Sequence, residues 1–153
     1  MQSLKKLSGI SQKNSIGRII DANLNRAKEG LRVCEEVARF VLDHRKFAAE
    51  FKAFRHRINT LGNKIYSPAL LLDQRQALGD VGRLNSCGEL KRANYKDVFF
   101  ANLQRVKESL RVLEEFSKLS DPAIALGFKQ LRYKVYEIEK KAFKKISALP
   151  DSG

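Results

Sequence analysis

An internal repeat constrains this chain more than any other feature. "ANLNRAKEGLRVCEE" at 22–36 and "ANLQRVKESLRVLEE" at 101–115 agree at eleven of fifteen positions. The apolar residues recur at helical spacing, so each copy reads as an amphipathic helix. Packing accounts for a repeated Leu, Val or Ala, but not for a repeated Asn, Arg and Glu at fixed offsets. The repeat also continues, because "FKAFRHRI" at 51–58 answers "FKQLRYKV" at 128–135. Each half is then a helical hairpin. The expected fold is all-α: two repeated hairpins, 15–64 and 95–147, forming a four-helix bundle with approximate two-fold symmetry. A central loop over 65–94 joins them, and the 153 residues make a single domain.

The breakers and caps support four long helices. The first is expected from about Ser15 to Asp43, with Asn14 or Ser15 as its N-cap. The second spans about Arg45 to Asn63, with Phe47, Phe51, Phe54, Ile58 and Leu61 at helical spacing. The third follows Asn94, which caps it with Asp97 in the first turn, and ends near Leu119. Asp121 and Pro122 open the fourth. The central segment holds a short helix at Pro68 to Asp73 and then a long loop containing Gly79, Gly82 and Gly88. Loops of that length inside a compact domain are often functional.

Net charge of +13 favours anionic partners: nucleic acid, an acidic membrane face or phosphorylated small molecules. Trp is absent and the aromatics are not interleaved with basic residues, so a stacking platform for single strands, and nucleic acid generally, is not the expected partner. Mean hydropathy is −0.39, and no apolar run approaches a membrane span. The N-terminal stretch has no apolar core behind its lysines, so no secretory signal is read there. Two scattered cysteines, Cys34 and Cys87, fit a reduced, cytoplasmic protein rather than a disulfide framework.

On a helical wheel, Ile16, Ile20, Ala27, Leu31, Cys34, Ala38 and Val41 form one apolar stripe, widened by Ile19, Val33, Val37 and Phe40. Asn23 falls within it and Arg26 lies between the directions of Val33 and Val37. Asn102 and Arg105 repeat the placement beside Val112 and Phe116. A buried guanidinium without a partner costs several kcal/mol. The in-helix neighbours Glu29 and Glu108 contribute only ~0.2–0.5 kcal/mol each at a surface. Another partner is required, either a core carboxylate or a bound anion. Arg55 and Arg132 lie at the edges of their own apolar faces, so four matched arginines are expected to converge on one phosphate-binding centre. In "RQALGDVGR" at 75–83, Gly79 and Gly82 allow close backbone approach and Asp80 suits Mg²⁺ beside phosphates. The loop is not a Walker A motif.

The stretches "RIIDANLNRAKEGLRVCEEVARF", "GDVGR", "ANLQRVKESLRVLEEFSKL" and "FKQLRYKVYEIE" resemble the monofunctional hydroxymethylpyrimidine-phosphate kinase family of thiamine biosynthesis. That domain also occurs fused N-terminal to thiamine-phosphate synthase. The resemblance covers roughly residues 15 to 142. It implies phosphorylation of 4-amino-5-hydroxymethyl-2-methylpyrimidine phosphate to the diphosphate, with ATP and Mg²⁺. The matching positions are Asn23, Arg26, Glu29, Arg55, Arg75, Asp80, Asn102, Arg105, Glu108 and Arg132. Their chemistry assigns Arg26, Arg55, Arg75, Arg105 and Arg132 to phosphates, and Asn23 and Asn102 to the aminopyrimidine edge, with Gly79 and Gly82 beside the substrate. Asp80, Glu29 or Glu108 would hold Mg²⁺ or orient the attacking oxygen. The synthase is a partner the resemblance implies, and homo-oligomerisation stays open. The rival readings are an accessory domain of the synthase that binds a phosphorylated ligand, a basic nucleic-acid-binding bundle and a helical chorismate mutase.

Overall fold

The computed structural model describes residues 2–84 and 90–150. Among them the chain is all-helical: α1 (Gln2–Phe40), α2 (Arg45–Ile65), α3 (Pro68–Gln74), α4 (Tyr95–Ser117) and α5 (Pro122–Ser147). The caps expected at Asn94 and Asp121 form: Asn94 accepts from the Asp97 amide and Asp121 from Ala123; Ser67, which the sequence reading did not name, accepts from Leu70 ahead of Pro68. Each satisfies an N–H that its helix cannot. Cys87 and Gly88 lie outside the described residues.

Both ends of α1 depart from expectation. The helix does not begin at Ser15 but runs through it from Gln2. The Ser15 hydroxyl donates back to the Ser11 carbonyl, 3.0 Å away, instead of capping. That local bond is open to any serine inside a helix, so a capping residue without a breaker does not stop one. At the other end Asp43 adopts φ 52, a left-handed conformation that ends the helical path. Phe40 and Val41, expected in the apolar stripe, are exposed, and Arg39 lies 4.7 Å above the Phe40 ring.

The core is one cluster shared by all five helices. Phe51 of α2, Phe99 of α4 and Phe128 of α5 are fully buried, and Phe51 meets Phe99 edge to face at 5.8 Å. Helix α1 packs along α4, α2 and α3; α5 packs on α4 and α2. The Cys34 thiol donates to the Phe99 carbonyl at 3.5 Å, while Gly30 lies against Asn102 and Val106, so α1 and α4 run antiparallel. Burial pushes the Cys34 thiol up from its ordinary 9.0 to about 12, which leaves it a small neutral core residue. Gly30 lets the two backbones meet: a Cβ there would lie 2.9 Å from the Asn102 carbonyl oxygen.

Candidate functional site

Helices α1 and α4 leave a groove on one side, and the segment from Arg75 to Arg83 roofs it. That segment is tied down at its start. Arg75, at the C-cap of α3, donates from Nε and Nη2 to the two carboxylate oxygens of Asp21, both at 2.8 Å. Asp21 is buried on α1 and also accepts from Asn25 at 3.3 Å. The bidentate geometry is the strong form of this pair, and the hydrogen bonds to Asp21 raise the Arg75 pKa further. The roof then turns at Asp80, whose Oδ1 accepts from the Gly82 amide at 2.8 Å, closing an Asx turn.

Beneath the roof are two adjoining lobes of about 560 and 610 Å³. Asn23, Arg26, Asp80 and Arg105 line both. The first lobe adds Arg18, Ile19, Ala22, Glu29, Arg75 and Ala77. The second adds Gly82, Arg83, Glu108, Ser109 and Val112. Of the residues the sequence singled out, the fold thus gathers Asn23, Arg26, Glu29, Arg75, Asp80, Gly82, Arg105 and Glu108 around one site. Gly79 sits in the roof but lines neither lobe, and so does not Asn102 of α4.

Arg55 and Arg132 do not join them. Arg55 donates to Glu35 Oε2 from Nε at 2.9 Å and from Nη2 at 2.6 Å. Arg132 grips Glu114 Oε2 in the same way, at 3.0 and 2.8 Å. Glu35 and Glu114 occupy matching positions in the two repeats, and both are buried. Each glutamate has a second arginine one turn earlier, Arg32 at 3.5 Å and Arg111 at 3.1 Å. The core carboxylate that the wheel argument required therefore exists, but it serves the hairpin seams and not Arg26 or Arg105. The expected burial of those two is also corrected: Arg26 is half-buried and Arg105 exposed, because the roofed side of α1 and α4 has no helix packed on it.

The arginines left over define the site. Among the described residues, Arg18, Arg26, Arg83 and Arg105 have no carboxylate within ion-pair distance, although Glu29, Asp80 and Glu108 line the same space without a cation of their own. Sequence reasoning missed Asp21, Arg18 and Arg83. Arg83 closes the "GDVGR" motif, and Arg18 lies two turns before Arg26 on the same face, so both signals were present.

Asn23 is oriented unambiguously. Its Nδ2 donates to the Ile19 carbonyl at 2.8 Å, an atom that only accepts, so Nδ2 and not Oδ1 must face it. Its Oδ1 is left to accept from whatever occupies the cavity. Among the described residues no three His, Cys, Asp or Glu side chains gather into a metal cluster. The carboxylates present fit a Mg²⁺ carried in by phosphates and held through one or two side chains, the usual mode for that ion.

A helical protein with a guanidinium-rich cavity of this size is suited to a phosphorylated small molecule. Comparison with known proteins defines its relationships. The ThiD2 family model matches residues 18–141, and the chain belongs to that family. The thiamine-phosphate synthase of Synechocystis sp. is 45% identical over 126 residues, covering 82% of this chain and 35% of that protein. That of Nostoc punctiforme is 47% identical over 123 residues, with shares of 80% and 34%. That of Thermosynechococcus vestitus is 41% identical over 137 residues, with shares of 89% and 38%. The chain thus spans about a third of the length of these relatives. No solved structure matches it. No helix among the described residues is long and apolar enough to cross a membrane.

Proposed function

We propose that this chain is a kinase of thiamine biosynthesis that transfers the terminal phosphoryl group of ATP to 4-amino-5-hydroxymethyl-2-methylpyrimidine phosphate, giving the diphosphate. One observation carries the reading: four arginines without carboxylate partners and three carboxylates without cations line one cavity together. Phosphoryl transfer asks a protein mainly for positioning and charge neutralisation, and such a site supplies both. The substrate's identity rests on family membership and on the relatives' names.

The scaffold belongs to the same proposal. Two antiparallel hairpins, α1–α2 and α4–α5, make a four-helix bundle with approximate two-fold symmetry about an axis near Ala27 and Val106. The duplicated Glu35–Arg55 and Glu114–Arg132 pairs support it. On that axis Arg26 and Arg105 become two halves of one site.

In the mechanism, Arg26 and Arg105 neutralise the charge shared between donor and acceptor. The acceptor is a phosphate oxygen already ionised near neutral pH, so no strong general base is needed. Mg²⁺ bound to the donor phosphates would draw off negative charge at the leaving oxygen. Asp80, with one oxygen held by Gly82, lines both lobes, with Glu29 in the first and Glu108 in the second. Arg75, through its bidentate pair with Asp21, anchors the start of the roof beside these groups.

The test is a coupled assay of the full chain with ATP, Mg²⁺ and the pyrimidine phosphate, scored for the diphosphate. Turnover is expected, and a folded protein without any defeats the kinase reading. The second reading, a non-catalytic ligand-binding domain working with a synthase, draws on the relatives' printed name and on their greater length. It predicts pyrimidine phosphate binding without turnover.

A further inference from the structure

The two lobes share four residues yet differ in chemistry. Ile19, Ala22 and Ala77 give the first lobe an apolar portion, beside the polar Arg18, Glu29 and Arg75. In the second, Val112 is the single aliphatic side chain beyond the shared residues; Gly82, Arg83, Glu108 and Ser109 complete it. A planar ring gains from the first environment and a chain of phosphates from the second. Asn23 lines both lobes and, beyond its bond to Ile19, keeps an acceptor oxygen and a second N–H, so it can meet a ligand in either.

We infer that the second lobe is a polyphosphate subsite, taking the phosphate chain of a nucleoside triphosphate, while the first takes the phosphorylated pyrimidine. That the polyphosphate belongs to a nucleotide rests on the kinase reading; the subsite itself does not. Arg83 is the specific anchor of this lobe, since it lines no part of the other and has no carboxylate partner among the described residues. Arg26 and Arg105 line both lobes and lie between them, where a transferred group must pass. Asp80 and Glu108 would repel a bare polyphosphate, so a divalent cation bridging the like charges would strengthen binding there.

Titration calorimetry on the full chain tests this with two probes, inorganic tripolyphosphate and the pyrimidine phosphate. Tripolyphosphate is expected to bind with Mg²⁺ and at least about tenfold more weakly without it. Arg83→Met should weaken tripolyphosphate about tenfold or more and leave the pyrimidine phosphate within about twofold. Arg18→Met should do the reverse. Val112→Phe fills the second lobe without changing charge and should reproduce the Arg83→Met pattern. Thermal melts establish that each variant is folded. The inference is overturned if tripolyphosphate does not bind, or if Arg83→Met weakens both probes alike or neither. Selective loss of tripolyphosphate in a protein that shows no kinase turnover would uphold the subsite and remove the kinase reading alone.

Discussion

Four arginines occur as two matched pairs in the two halves, and the fold uses the pairs in opposite ways. Arg55 and Arg132 lie in the seams between the helices of each hairpin, each locked on a buried glutamate. Arg26 and Arg105 lie one step outward, on the side of α1 and α4 that only a loop covers, with no carboxylate in range. One pair closes its charge inside the protein. The other leaves its charge open to a ligand. A repeated charged residue is therefore not in itself a sign of a site; the presence or absence of an internal counter-charge separates scaffold from function.

The largest expected effect lies in the cavity. Arg26→Met and Arg105→Met should each lower kcat/KM by about 10²–10³, the range for loss of one charge-stabilising donor. Because Arg26 is half-buried and Arg105 exposed, the melting temperature should hardly move. A melt that collapses while activity per folded molecule survives would reverse the assignment. Next in size is the seam. Arg55→Met leaves Glu35 buried with only Arg32 nearby, and Arg132→Met leaves Glu114 with only Arg111. Removing one partner of a buried pair costs ~3–5 kcal/mol; the remaining arginine reduces this to roughly 2–3, or a melting temperature lower by roughly 5–10 °C. Both variants should bind the pyrimidine phosphate as the wild type does. If calorimetry shows either losing that ligand while still folded, the seam and the cavity are one network.

Much of this was legible in the residues. Asn94, Asp121 and Pro122 opened their helices as their chemistry requires, and the repeat singled out Asn23, Arg26 and Arg105, which the fold brings beside the "GDVGR" loop. What was not legible depends on relations between helices. A helical wheel fixes the direction of Arg55 about its own axis but not the rotation of α1 against α2, so Glu35 could not be picked from the neighbouring Glu36. The wheel also counts a direction as buried whenever its neighbours are apolar. Arg105 escapes that rule because a loop, not a helix, covers its side of α4. The start of α1 was misjudged for a local reason: Asn14 and Ser15 are competent caps, yet nothing before them stops the helix.

The smallest effects come from making the halves more alike. Gly30 on α1 has Ser109 as its counterpart on α4, and Ala38 has Ser117. Gly30→Ser would bring a Cβ 2.7 Å from Val106 Cγ2 and 2.9 Å from the Asn102 carbonyl oxygen, so α4 must retreat. Overpacking of this kind costs ~1–3 kcal/mol, less part of the ~1 kcal/mol penalty that glycine carries in a helix. The melting temperature should fall by roughly 2–8 °C. Ser117→Ala should act in the other direction. The Ser117 hydroxyl is fully buried and has no hydrogen-bond partner in the protein. Removing a buried polar group that bonds to nothing stabilises by about 1 kcal/mol, a rise of roughly 2–4 °C. If Ser117→Ala instead lowers the melting temperature, a buried water holds that hydroxyl. The two halves then differ at this position by a solvent site as well as by an oxygen atom.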